Sequence, residues 1–152
     1  MKSQKGFTII ELIVVISIIA VLAAIVLVNV TQYINKGRDA AAKGNLSTLL
    51  TNGAIFLDTT VANGGGGGTY DGWTSNTTLY GTVVSALTSA GYTSFTANCD
   101  TASCAATATK WCAAIQEKTI ATYYYCVDSS GNKVEAEGTY SDHCVDASGY
   151  CL

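Results

Sequence analysis

Residues Leu12–Val28 form an unbroken apolar run in which Ser17 is the only polar side chain. A helix rises about 1.5 Å per residue, so this run comes close to the thickness of a bilayer's hydrocarbon core. Lys2 and Lys5 precede it. Three kinds of segment fit: a secretory signal, a plain membrane anchor, or a processed segment with a second use. Glu11 separates them. A carboxylate at the edge of an apolar span is costly and normally has a named partner, and a secretory signal has no use for one. The run also continues past the usual signal length, without a small-x-small cleavage site at its end. The plain alternative is a Glu11 that rests at the membrane interface.

The stretch Lys5-Gly-Phe-Thr-Ile-Ile-Glu-Leu-Ile-Val-Val-Ile16 resembles the processing signal of type IV prepilins and pseudopilins. The resemblance covers about the first thirty residues. It implies cleavage by a membrane aspartyl peptidase between Gly6 and Phe7, followed by N-methylation of Phe7. It also implies that Glu11 meets the N-terminal amine of a neighbouring subunit and so sets axial register. Elementary electrostatics agrees, because cleavage creates a cation at Phe7 and an unpaired buried carboxylate is penalised. Two departures stand out. The family often carries a proline late in the apolar run, where this chain has Val28, and the chain contains no proline. A mid-span glycine of the family is replaced by Ala20.

Positive charge does not fix the topology, since Lys2 and Lys5 on one side face Lys36, Arg38 and Lys43 on the other. Cysteines serve better. All six lie beyond residue 98, at Cys99, Cys104, Cys112, Cys126, Cys144 and Cys151. None is in a Cys-x-x-Cys pair and His143 is the single histidine, which is a poor set for zinc. An even number behind an export-type segment reads as disulfides in an oxidising compartment, which places the C-terminal domain outside. Six cysteines allow fifteen pairings. The preferred set is Cys112–Cys126 across a hairpin, with Cys99–Cys104 and Cys144–Cys151 as sequence-local pairs. A rival joins Cys126 to Cys144.

Beyond Asn29 the sequence stays compatible with one long helix. Ile34, Ala41, Leu46, Leu49, Leu50, Gly53, Phe56 and Leu57 recur at helical spacing and would take the rest of the domain on one face. Gly37, Gly44 and Gly53 each weaken a helix by about 1 kcal/mol relative to alanine; plain tolerance is the preferred reading, with close helix packing or local bending as the alternative. Gly64–Gly68 lacks the lysine of a phosphate loop and reads as a flexible connector. A short helix is expected over Thr78–Ala90, capped by Asn76 or Thr77 and stopped by Gly91. Trp111–Gln116 and Tyr123–Asp128 alternate as strands. Pairing Cys112 with Cys126 places Trp111 opposite Val127, Ala113 opposite Tyr125 and Ile115 opposite Tyr123, so that one face is apolar. The weak point is the tight loop Lys118-Thr119-Ile120, and a slip of two residues preserves the faces while separating the cysteines. A third strand follows around Lys133–Gly138.

The expected fold class is therefore α+β. A long N-terminal helix, membrane-spanning in its first half, packs against a small antiparallel sheet stapled by disulfides. The expected segments are a leader at 1–6, a transmembrane and polymerisation helix at 7–30, the rest of the long helix at 31–62, and a glycine-rich connector with the head at 63–152. Residues 44–152 hold three lysines and nine acids, and three minus nine is −6, which disfavours direct nucleic-acid binding. No enzyme activity and no cofactor are expected. His143 beside Asp142 and Cys144 is a sequence neighbourhood rather than a triad assembled in space. Asp128, Asp142 and Asp146 are weak calcium candidates without an acid-dense loop. The Asn29, Asn45 and Asn76 sequons are too common to carry weight.

The resemblance implies a structural subunit of a type IV pilus-like filament. Its partners would be copies of itself, the prepilin peptidase, the assembly machinery of the inner membrane, and lipid before assembly. As a precursor it would sit in the cytoplasmic membrane with the head outside. Assembled, it would be part of an extracellular filament. The alternatives are a major pseudopilin of a type II-like secretion system and a membrane-anchored disulfide-rich binding domain.

Overall fold

A computed structural model describes residues 6–59, 65–93, 95–101, 104, 106–144 and 149–151, the side chain of Asp142 excepted. The chain is α+β. Helix α1 runs Ile9–Asp58, a short 3-10 turn covers Trp73–Ser75, and helix α2 spans Tyr80–Ser89. Four strands follow, β1 (Phe95–Cys99), β2 (Trp111–Gln116), β3 (Tyr123–Asp128) and β4 (Lys133–Glu137), and then a one-turn helix α3 (Tyr140–His143). The strands form one antiparallel sheet in the order β1-β2-β3-β4. Two compact units divide the chain, Met1–Asn35 and Lys36–Leu152.

In the first unit the apolar side chains of α1 are exposed, from Ile9 through Val28 to Ile34. By length and composition this helix is able to cross a membrane.

In the second unit the core forms where α1 meets the sheet. Ala42, Leu46, Leu49, Gly53 and Phe56 are buried at helical spacing. Leu50 and Leu57 pack partly buried beside them. The expected stripe shifts at its start, because Ile34 and Ala41 are exposed and Asp39 and Ala42 are buried instead. Opposite this stripe stand Trp111, Ala113, Ile115, Tyr125 and Val127, which alternate on β2 and β3. Helix α2 is positioned by Asn76, whose Oδ1 accepts from the amides of Thr78 (3.1 Å) and Leu79 (2.6 Å). It contributes Tyr80, Val83 and Leu87 to the core. Burial pushes the Tyr80 phenol up to about 12.

Gly53 is not merely tolerated. A Cβ there would stand 2.7 Å from the indole Nε1 of Trp111, a side chain that is itself fully enclosed. By contrast, Gly37 and Gly44 face open space. The glycines after the helix are seated rather than loose. The Gly66 amide donates to the Phe56 carbonyl (2.7 Å) and the Gly68 amide to the Leu57 carbonyl (2.8 Å), which satisfies acceptors that every helix end leaves open. A Cβ on Gly66 would collide with the Thr69 carbonyl. Gly64 lies outside the described residues.

The β2–β3 register differs from the expected one by two residues. Cys112 faces Asp128, Ala113 faces Val127, Ala114 faces Cys126 and Ile115 faces Tyr125. The cause is the loop. The expected register forces Lys118-Thr119-Ile120 into a tight turn that a β-branched residue fits poorly. In the structure the Glu117 amide donates to the Tyr123 carbonyl (2.9 Å), which leaves residues 118–122 as a roomier connection.

That connection is clamped to α1 by Asp39. Its Oδ1 accepts from the Lys118 amide (2.8 Å) and the Tyr92 hydroxyl, and its Oδ2 accepts from the Thr119 amide (2.8 Å). Burial works to raise the Asp39 pKa. The side chains of Thr119 and Tyr92 and the two amides outweigh it, and the carboxyl sits below the ordinary aspartate value. One helical turn on, Lys43 Nζ pairs with the buried Glu117 (2.8 Å) and with Glu135 (2.7 Å).

Two glycine substitutions should move stability in opposite directions. Gly53→Ala overpacks the helix–sheet contact and should cost about 1–3 kcal/mol. Gly44→Ala fills open space on a helix and should gain up to about 1 kcal/mol. Thermal unfolding of the unassembled chain in detergent measures both. Asp39→Asn should cost about 2 kcal/mol at pH 7, since it turns donors toward donors. Because the folded Asp39 pKa lies below the unfolded value of about 3.9, its contribution is present above that pH and is lost as the pH falls through the folded value. The gap between wild type and Asp39→Asn should therefore close in acid.

Candidate processing and assembly site

Gly6, Phe7 and Thr8 precede the first helical residue, Ile9, and are exposed. Thr8 and Glu11 stand in the N-cap and N3 positions of α1, and their side chains grip each other's backbone. Glu11 Oε2 accepts from the Thr8 amide (2.9 Å) and from the Thr8 hydroxyl (2.7 Å), while the Glu11 amide donates to Thr8 Oγ1 at 3.3 Å. This is a capping box, which satisfies donors that the helix start leaves open. The negative charge also lies where the helix dipole favours it. Among the described residues the carboxylate's hydrogen bonds all fall on Oε2 and none reaches Oε1. Glu11 thus has a partner within its own chain as well as the one expected from a neighbour. Thr8 was not singled out from the sequence, although Thr-x-x-Glu before an apolar run is a legible capping signal.

The cysteines pair Cys99–Cys104, Cys112–Cys144 and Cys126–Cys151. The expected Cys112–Cys126 and Cys144–Cys151 bridges are not formed, and neither is the rival Cys126–Cys144. Register explains the first, because Cys112 faces Asp128 and is only a diagonal neighbour of Cys126. Both cysteines point away from α1, to the second face of the sheet, where Ala114 and Tyr124 are also buried. The C-terminal segment covers this face. His143 stacks on Tyr124 with ring centroids 4.1 Å apart. Gln116 supports the segment, accepting from the Tyr140 amide (3.1 Å) and donating to the Gly138 carbonyl (2.9 Å). Asn98 of β1 donates to the Cys144 carbonyl.

Asp128 holds the end of this segment, and its oxygens are already occupied. Oδ1 accepts from the Ser130 (2.9 Å) and Asn132 (3.2 Å) amides. Oδ2 accepts from Asn132 Nδ2 (2.9 Å) and from the Cys151 amide (3.2 Å). It is a turn and tail anchor, not an open calcium ligand. The Asp142 side chain and Asp146 lie outside the described residues. Among the described residues no group of three His, Cys, Asp or Glu side chains is placed to hold a metal.

A capped, exposed apolar helix joined in one chain to a disulfide-stapled α+β unit defines a pilin-like architecture. Residues 1–27 match the family model described as the prokaryotic N-terminal methylation motif. Similar proteins include a "Fimbrial protein" of Moraxella nonliquefaciens, 43% identical over 65 residues, which span 38% of this chain and 42% of that protein. A "Type IV major alpha-pilin" of Moraxella bovis is 49% identical over 47 residues, or 31% of this chain and 30% of that one. The chain thus spans less than half the length of these curated relatives. No solved structure gives a significant match.

Thr8→Val should remove the cap and cost the first helical turn about 1 kcal/mol, whereas Thr8→Ser should retain it. Amide exchange at Ile9–Leu12 in the detergent-solubilised chain should quicken about fivefold in the first variant and stay unchanged in the second.

Proposed function

We propose that this chain is the precursor of a type IV pilus subunit. One observation carries the reading: a methylation motif over residues 1–27 coincides with the first half of a helix whose apolar side chains lie exposed from Ile9 to Ile34. Such a surface needs lipid or copies of itself, and polymerisation supplies the second after the first. The prepilin peptidase cuts between Gly6 and Phe7, the Phe7 amine is methylated, and the inner-membrane assembly machinery adds the subunit to a filament. Open filaments need contacts that do not close on themselves, and a bundle of these helices provides them. Within it Thr8 keeps Glu11 Oε2, and Oε1 receives the Phe7 amine of a neighbouring subunit. The head faces the exterior, where its disulfides are stable. The printed names of the relatives, a fimbrial protein and a major pilin, favour a pilus over a secretion pseudopilus.

Shearing cells, imaging the supernatant and sequencing the N-terminus of the sheared protein test this. The expected result is filaments whose subunit begins with N-methylated Phe7. A mature start beyond Val28, or a functioning protein that keeps Met1, would overturn the proposal. Glu11→Lys should leave cleavage intact and reduce sheared filament at least tenfold.

A further inference from the structure

Two of the three disulfides interlace. Cys112–Cys144 and Cys126–Cys151 span separations of 32 and 25 residues, and each bridge encloses one cysteine of the other. Cys112 and Cys126 are only 126 − 112 = 14 residues apart, and Cys144 and Cys151 only 151 − 144 = 7. Loop-closure statistics favour these near pairings over the observed ones, by roughly threefold for the first and roughly sevenfold for the second. Chain direction adds to the bias, because Cys112 and Cys126 reach the exterior before Cys144 does.

Strand geometry makes the wrong pair attainable. Cys112 and Cys126 lie on the same face of adjacent strands, at diagonal positions. Diagonal side chains are about 7–8 Å apart, too far for a disulfide, but a slip of two residues puts them directly opposite, at about 4.5–5.5 Å. That slip keeps Trp111, Ala113 and Ile115 on one face and Cys112 and Ala114 on the other, so hydrophobic burial barely opposes it. A Cys112–Cys126 bridge would trap the slipped hairpin and deny the C-terminal segment both of its anchors.

We propose that this chain is a client of a thiol–disulfide isomerase, which resolves a Cys112–Cys126 bridge and restores the β2–β3 register. The inference rests on the head folding in an oxidising compartment, as in the reading above, but its test does not need a filament. Oxidation of six thiols first passes six electrons and six protons to disulfide-bearing oxidases. In the mispaired head, the isomerase thiolate attacks the Cys112 sulfur, forms a mixed disulfide and releases the Cys126 thiolate. Cys126 attacks the Cys151 sulfur of a Cys144–Cys151 bridge and releases the Cys144 thiolate. Cys144 then attacks Cys112 and returns the isomerase thiolate. Two disulfides enter and two leave, with no net change in electrons.

The full chain, reduced and denatured, is refolded in detergent with three equivalents of a disulfide-donating oxidase and no small thiol, and reduced protein disulfide isomerase is then added or withheld. Samples are quenched with acid and N-ethylmaleimide, and all protein is mapped, soluble and precipitated alike. Trypsin cuts after Lys110, Lys118 and Lys133. The mispaired form yields residues 111–118 joined to 119–133 alone, whereas the native form joins both to 134–152. A second cut before Asp146 assigns Cys144 and Cys151 individually. With oxidase alone, Cys112–Cys126 should exceed the native linkage at least threefold at early times, and isomerase should speed its conversion at least tenfold. Native linkage that forms first, or at a rate the isomerase does not change, overturns the proposal.

Discussion

Strands β2 and β3 are buried on both faces, and the design of the head follows from that. On one side Trp111, Ala113, Ile115, Tyr125 and Val127 require the helix, and the helix approaches closely only because residue 53 is glycine. On the other side Cys112, Ala114, Tyr124 and Cys126 require a cover, which the one-turn helix α3 and the C-terminal segment supply. The C-terminal segment has few large apolar side chains with which to hold itself there. Two disulfides do the holding. In the chain-entropy model a bridge closing about 15 residues contributes on the order of 3 kcal/mol, and longer loops contribute more. Small domains short of core commonly depend on such cross-links. Here they fasten cover to core rather than strand to strand.

The N-terminal unit faces a different problem. In lipid its apolar side chains are already in a favourable solvent, so their burial against other helices brings no large hydrophobic gain. What distinguishes one packing arrangement from another is polar. Glu11 is the one acidic side chain there, and a capping box satisfies it within its own chain. A naked carboxylate would drive promiscuous pairing or pull the helix end from the membrane. A carboxylate with one oxygen committed and the other available can wait for a cation in the correct place.

Much of this was readable in the sequence, for reasons that differ by element. The apolar run and the helical spacing from Leu46 to Phe56 are strong periodic signals, and Gly91 follows the end of α2 as expected, whereas the helix starts at Tyr80 with Leu79 rather than Asn76 or Thr77 at its N-cap. Strand β1, Phe95–Cys99, lacks clear alternation and shows itself only by pairing with β2. The hairpin register was open because a period of two is blind to a slip of two. Loop strain at Ile120 decided it, together with Asp39, whose carboxylate reaches across to hold the longer loop. Asp39 itself was not singled out from the sequence.

Disulfide pairing is the hardest feature to read, and it depends on the others. Nearness in sequence suggests Cys112–Cys126, yet near-continuous apolar runs such as Trp111–Ile115 and Tyr123–Val127 indicate strands covered on both faces. A second cover must come from somewhere, and only the segment beyond β4 remains. Its two cysteines then have to reach the two on the sheet, because bridging Cys144 to Cys151 would tie the cover to itself and leave it unattached. Read in this order, from strand burial to missing cover to cross-link, the interlaced pairing is the arrangement that anchors the tail at two points.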